Sequence, residues 1–303
     1  MNALSSRPVS PPLLAGLSAV APNYEVILCD VWGVIHNGVA HFPTAIEALS
    51  RFRATGGTVI LVTNAPRPGN RVIEFLDKLE VPRSAYDALV SSGDVTVSLI
   101  RARGDLPLTH IGPEQDRSLF AAAGELSGRP VRFAGLDEAA YVVCTGLFDP
   151  DTETPDDYAE SFATMRRRRL DFICANPDIV VDVGDQPVYC AGALAEAYAS
   201  AGGHVIQAGK PYPPIYALAL EEAARCAGRS IDRERVLAIG DAMRTDIRGA
   251  QDQSLATLFI TTGIHRAELH PGPRESKLDA AAFRQFFESK GFGPTAMMTR
   301  LAW

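Results

Sequence analysis

Cysteine is scarce. The 303 residues contain five, at positions 29, 144, 174, 190 and 226, an odd count with no CxxC pair. A disulfide framework and a zinc site are therefore excluded as organising principles, and a reducing compartment is expected. No apolar run reaches the ~18 residues that a membrane-spanning helix needs. One short stretch, Leu13–Ala21, has the apolar character of a signal h-region. Only Arg7 supplies a basic residue before it, and Pro11 and Pro12 stand at its edge. It reads instead as an N-terminal helix packed on the core, and the protein as cytoplasmic. Positive charge is also short, with 29 Lys+Arg against 36 Asp+Glu and a formal net charge of −7. That balance leaves no basic footprint for nucleic acid. An anionic small-molecule substrate stays open, because local charge or a bound metal overrides net charge. Internal repeats and low-complexity tracts are absent.

What is present is ordinary globular sequence, 47% hydrophobic and 21% charged, long enough for about two domains at ~150 residues each. Short apolar runs read as strands: Glu25–Asp30, Thr58–Thr63, Ala88–Ser91, Ala140–Thr145, Asp171–Ala175, His204–Gln207, Arg235–Ile239 and Leu255–Thr261. Helix-length patterns alternate with them at Thr44–Ala54, Gly69–Lys78, Pro155–Arg168, Gly192–Ala201, Pro214–Ala227 and Thr245–Gln251. This alternation predicts an α/β protein with a mostly parallel sheet. The basic run Arg166–Arg169 reads as a solvated helix end favoured by the helix dipole.

Four strand ends carry groups suited to phosphate and metal chemistry. The first delivers Asp30, followed by Val31-Trp32-Gly33, at the end of an open α/β sheet where ligands bind. The second delivers Thr63 and Asn64, whose hydroxyl and amide can donate to a phosphoryl oxygen, with Arg67 as a bidentate clamp. The third places Lys210 between Gly209 and Pro211, where its ammonium can neutralise a phosphate. The fourth delivers Asp241, with Asp246 at the start of the next helix, and these are hard oxygen ligands of the kind Mg²⁺ prefers. Singly, each has an ordinary structural reading as a turn residue, a helix cap or a surface lysine.

Together and in this order, the four segments resemble the haloacid dehalogenase (HAD) superfamily. The loop Ser91-Ser92-Gly93-Asp94 and the long insert between Asn64 and Lys210 are similar to the NagD-like subgroup. So are the segments Ala175-Asn176-Pro177-Asp178 and Ala191-Gly192-Ala193-Leu194. The resemblance implies a Rossmann-like parallel-sheet core in two segments, 1–104 and 204–303. An α/β C2-type cap over 105–203 would be inserted between them. It implies Asp30 as the nucleophile that becomes an aspartyl phosphate. It implies metal ligation by Asp30, the Trp32 carbonyl, Asp241 and Asp246, and phosphate binding by Thr63 and Asn64, with Lys210 as the active-site lysine. The cofactor implied is Mg²⁺, the partner a small phosphorylated metabolite such as a sugar phosphate, and the cap allows a homo-oligomer.

One position departs from that pattern. Phosphatases of the family carry a second Asp two residues after the nucleophile, as acid for the leaving group and base for water. Trp32 occupies that position and can do neither. His36, in the same loop, is either a replacement acid or a packing residue. The superfamily's dehalogenases carry a Tyr there and use no metal, a reading disfavoured by the retained Asp241 and Asp246. The expectation is a Mg²⁺-dependent phosphatase of low or specialised turnover. The alternative is a catalytically weak or inactive phosphometabolite-binding regulatory protein. The hairpin-like stretch Val180–Val188, turning at Gly184–Pro187, is the candidate specificity loop of the cap. His265 and Arg266, after the last strand read from the sequence, are either substrate contacts or solvated loop residues.

Overall fold

Most strands form where the sequence runs short and apolar. The computed structural model describes residues 11–183, 186–271 and 280–303. Its strands are β1 (Val26–Cys29), β2 (Thr58–Thr63), β3 (Ala88–Ser91), β4 (Leu108–Ile111), β5 (Tyr141–Cys144) and β6 (Asp171–Cys174), then β7 (Val180–Val183), β8 (Gln186–Tyr189), β9 (His204–Gln207), β10 (Val236–Gly240), β11 (Ala256–Ile260) and β12 (Ala296–Met298). The chain divides into two units, Met1–Val62 with Leu79–Ala88 and Ala219–Trp303, and Thr63–Lys78 with Leu89–Leu218.

A six-stranded sheet of order β12-β11-β10-β1-β2-β3 forms the first unit; the end of β2 and most of β3 belong to the second unit's segments. β1 pairs in parallel with β10 on one side and β2 on the other. β1, β2 and β10 are buried along their whole lengths, as expected of strands covered on both faces. The register aligns Cys29 with Ile239. Asp30 follows Cys29 directly and Asp241 follows Ile239 by two residues, so both leave adjacent strands at the carboxyl edge, one residue out of step.

The N-terminal helix expected over Leu13–Ala21 does not form. Leu13 bridges in parallel to Met297, with Leu14 N–H donating to the Met297 carbonyl at 2.8 Å and Met297 N–H to the Pro12 carbonyl at 2.9 Å. Two 3₁₀ turns follow, Leu17–Ala19 and Ala21–Asn23. Gly16 is extended (φ −163°, ψ 157°) and lies against the Trp303 carbonyl so closely that no Cβ fits. Pro22 then removes a further donor. The segment still packs on the core, with Leu17 fully buried.

The second unit contains a parallel four-stranded sheet, β4-β5-β6-β9, and an antiparallel pair, β7-β8. Successive residues of its central strands point to opposite, equally apolar faces. Val142 and Phe172 pack with Phe162, Met165, Leu194 and Tyr198. Val143 and Ile173 pack with Ile100, Leu119 and Phe120. Helices Ala159–Arg168 and Ala191–Ser200 cover the first face, and Ser92–Ala102 and Ser118–Ser127 the second. The segment 105–203 lies wholly inside this unit, which also takes in 63–78, 89–104 and 204–218. The basic run ends its helix, with Arg169 left-handed (φ 56°) at the C-cap. Arg168 is not merely solvated: its Nη1 donates to the Ala139 carbonyl at 2.7 Å. The tip of the β7–β8 hairpin, at 184–185, lies outside the described residues. Among the described residues no helix is long and apolar enough to cross a membrane.

Candidate functional site

The register of β1 and β10 assembles an acidic centre in the first unit. Asp30, Asp241 and Asp246 each offer a carboxylate oxygen, and these oxygens lie within 4.8 Å of one another. All three side chains are buried, at 6–7% exposure. Their placement is controlled by backbone donors. Ile264 N–H donates to Asp241 Oδ2 at 2.8 Å, and Ala242 N–H donates to Asp246 Oδ2 at 3.1 Å. Asp246 sits on a single π turn, Met243–Ile247, that precedes helix Arg248–Asp252. The sequence read one helix over this stretch; the wider turn is a feature that recurs at functional sites. Small residues make room. A Cβ at Gly33, whose φ is +81°, or at Gly263 would overlap the Asp241 carboxylate.

Three buried carboxylates at this spacing repel one another strongly at low dielectric. With oxygen the only donor type, the set fits a hard divalent cation.

The loop after Asp30 closes on itself. Gly33 N–H donates to the His36 carbonyl at 2.8 Å, and the Trp32 indole lies edge-on to the His36 ring at 4.9 Å between centroids. The indole also covers Gly38, where a Cβ would meet its ring atoms at 2.8 Å. His36 is 1% exposed, and its Nδ1 accepts the Gly38 N–H at 2.9 Å. Burial pushes its pKa down to about 4. Of the two sequence readings of His36, the geometry matches the packing residue: a neutral ring that is already an acceptor is no proton source at neutral pH.

The phosphate-handling residues read from the sequence lie in the second unit. Thr63 is buried and its Oγ1 accepts the Ala65 N–H at 3.2 Å. Asn64 is 3% exposed, and its amide is fully engaged. Oδ1 accepts the Lys210 N–H at 2.7 Å, while Nδ2 donates to the Lys210 carbonyl at 3.2 Å and to Asp178 Oδ1 at 2.9 Å. Asn64 therefore grips the lysine's main chain. Lys210 itself is 5% exposed. Arg67 donates through Nε to the buried Asp116 at 2.8 Å. Its backbone is pinned by the Ser91 hydroxyl, which donates to the Arg67 carbonyl at 2.7 Å. A capping box, Ser91 with Asp94, starts the following helix.

Sequence reasoning missed two participants. Asp178 was legible only as part of a segment resembling a family signature, and Asp116 carried no motif signal. His265, a candidate substrate contact from the sequence, accepts the Met243 N–H on Nε2 at 3.3 Å and meets Glu268 through Nδ1 at 2.5 Å.

Comparison with known proteins identifies the family and the fold. A haloacid dehalogenase-like hydrolase family model matches residues 27–125, and a HAD-hydrolase-like model matches residues 207–282. The crystal structure of a haloacid dehalogenase-like family hydrolase from Brucella suis 1330 superposes with a TM-score of 0.82 at 43% identity, covering 96% of this chain and 100% of that one. NagD from E. coli K-12 shares the fold at 19% identity, with a TM-score of 0.62 over 92% of this chain and 98% of its own. The D-glycerol 3-phosphate phosphatase of Mycobacterium tuberculosis is 28% identical over 254 residues, 83% of this chain and 67% of the relative. With 43% identity maintained over nearly its whole length, the chain belongs to the haloacid dehalogenase-like family of hydrolases, and its fold is that of the NagD-type members.

Proposed function

We propose that this protein is a Mg²⁺-dependent phosphatase of a small phosphorylated metabolite, acting through an aspartyl phosphate on Asp30. The observation that carries this reading is the buried convergence of Asp30, Asp241 and Asp246. These three, with the Trp32 carbonyl, would hold the ion. Bound there, Mg²⁺ would neutralise charge on the phosphoryl oxygens. The Asp30 carboxylate attacks phosphorus, and the bond from phosphorus to the leaving oxygen breaks. Water then hydrolyses the acyl phosphate, releasing inorganic phosphate and restoring the carboxylate. Thr63 and Lys210 bind the phosphoryl group. Asn64 acts on it through Lys210, whose main chain it holds. Arg67 keeps its two terminal nitrogens for a second anionic group of the substrate, since Asp116 takes Nε. Catalysis here is mostly positioning and charge neutralisation.

Trp32 supports a second reading, a weak or inactive phosphometabolite-binding regulator. The indole offers no proton at the position that serves the leaving group in the family's phosphatases, and His36 is sealed. A phosphatase panel with and without Mg²⁺, with Asp30→Asn as control, separates the two. The relative's named substrate puts glycerol phosphates first on that panel. Mg²⁺-dependent turnover lost in Asp30→Asn supports the enzyme; binding without turnover or phosphorylation supports the regulator. The free cysteines support a reducing, cytoplasmic setting. Sedimentation at several concentrations tests assembly through the cap.

A further inference from the structure

The loop that follows β11 touches the acidic centre in three successive residues. Gly263 leaves room for the Asp241 carboxylate. Ile264 N–H donates to that carboxylate at 2.8 Å. His265 reaches past it to the π turn, where Nε2 accepts the Met243 N–H at 3.3 Å. Met243 opens the turn that carries Asp246, and its N–H is one of the donors that a helix start leaves unpaired. An imidazole that accepts on Nε2 carries its proton on Nδ1. That nitrogen meets Glu268 Oε1 at 2.5 Å, so the carboxylate orients the ring. Phe286 lies edge-on to the ring at 4.9 Å between centroids, and is itself 5% exposed. The imidazole is thus held on two sides and bonded on the third.

We propose that His265, oriented by Glu268, is a positioning residue for the metal site: it holds the Met243–Ile247 turn so that Asp246 stands at binding distance from Asp30 and Asp241. This rests on the reading of those three acids as a cation site. In this role His265 acts through the turn, by its bond to the Met243 N–H, and not on the ion itself. It ties the Asp246 turn to the same loop that anchors Asp241, so one short segment sets the separation of two carboxylates. π turns occur mostly as single turns, frequently at functional sites, and this one carries Asp246, so a tie to its first residue bears on where that carboxylate stands. Partners that orient metal ligands are typically worth ~10–100-fold in metal affinity, and that loss is expected here.

The test is Mg²⁺ binding to the full chain, measured by calorimetry and by the rise in melting temperature with Mg²⁺, beside the melting temperature in chelator. His265→Ala should weaken Mg²⁺ binding by ~10–100-fold. His265→Gln, which places an acceptor oxygen near the Met243 N–H and an amide donor near Glu268, should recover most of the affinity. Phe286→Leu, which alters ring packing and leaves the Met243 bond in place, should lower the chelator melting temperature and leave Mg²⁺ affinity near wild type. Wild-type affinity in His265→Ala, with Asp241→Asn having lost binding, overturns the positioning role and leaves the metal site intact. Equal loss in the Ala and Gln variants, or in Phe286→Leu, reduces His265 to a packing residue. A wild-type protein that does not bind Mg²⁺ overturns both the cation site and this proposal. Should the Ala variant not fold, the contrast between Gln and Phe286→Leu decides.

Discussion

Asn64 and Lys210, 146 positions apart, are joined by a reciprocal pair of hydrogen bonds between the Asn64 amide and both main-chain polar groups of the lysine. Asn64→Ala leaves the buried Lys210 N–H and the Asp178 carboxylate short of a partner. An unsatisfied buried group costs about 1–3 kcal/mol. The variant should unfold at lower urea, and phosphate or vanadate should bind it more weakly while Mg²⁺ binds as before. Phosphate affinity equal to wild type would show that Lys210 does not depend on Asn64.

The acidic centre is tested by Asp241→Asn. Saturating Mg²⁺ at ~100-fold over its dissociation constant should stabilise the wild type by about 2.7 kcal/mol. The variant should lose most of that gain. In chelator it should be at least as stable as wild type, because one of three mutually repelling carboxylates is gone. A retained Mg²⁺ response would move the ion elsewhere.

Trp32→Asp tests whether the missing acid limits turnover. If the missing acid limits the rate, nitrophenyl phosphate should be a better substrate than any alkyl phosphate, with a burst as phospho-Asp30 accumulates. Trp32→Asp should raise turnover of alkyl phosphates by up to the ~10²–10⁴ that general acid–base catalysis contributes. It should also lower stability, because the indole covers Gly38 and His36 and its removal leaves a void. Asp30→Asn should abolish activity in both backgrounds. Fast, burst-free turnover of a sugar phosphate by the wild type would place acid–base duty on another group.

His36 makes stability depend on pH. Its folded pKa, pushed down by burial to about 4, lies below the ~6.5 of an unfolded histidine. Between those values the unfolded chain binds a proton that the folded chain refuses. The contribution is therefore present above pH ~6.5 and is lost as pH falls toward 4, amounting to about 2 kcal/mol between pH 7 and 5. His110 shifts in the same direction, also to about 4 and also chiefly through burial, so the wild type carries two such groups. His36→Asn, whose Oδ1 can still accept the Gly38 N–H, should flatten the fall in melting temperature between pH 7 and 5. Unchanged slopes in wild type and variant would rule out His36 as a source.

The elements that were legible in the sequence are those whose signal is local. β1, β2 and β10 are runs of buried apolar residues, and burial on both faces of a parallel sheet demands such runs. Asp30, Thr63, Lys210 and Asp241 were recognisable because each ends or follows a strand in a fixed motif order. β4 was missed because Leu108–Ile111 carries Thr109 and His110 between its apolar ends, and β12 because three residues are too few to show a period. The N-terminal helix was misread because its apolar content is real. What broke it was a distant contact, Gly16 against Trp303.

The sequence by itself determined which chemistries are available: three acids at or just after strand ends, a lysine, and a tryptophan where the family's phosphatases have an acid. Only the tertiary structure decided how those groups are used. Strand register brought Asp241 beside Asp30. A contact across 146 positions gave the Asn64 amide the main chain of Lys210 as its partner. The loop after β11 placed His265 against the Met243 N–H. Burial and periodicity act on neighbours and leave a trace in one dimension. A polar side chain bonds whichever buried donor or acceptor the fold brings within reach, and residue order alone does not specify that pairing.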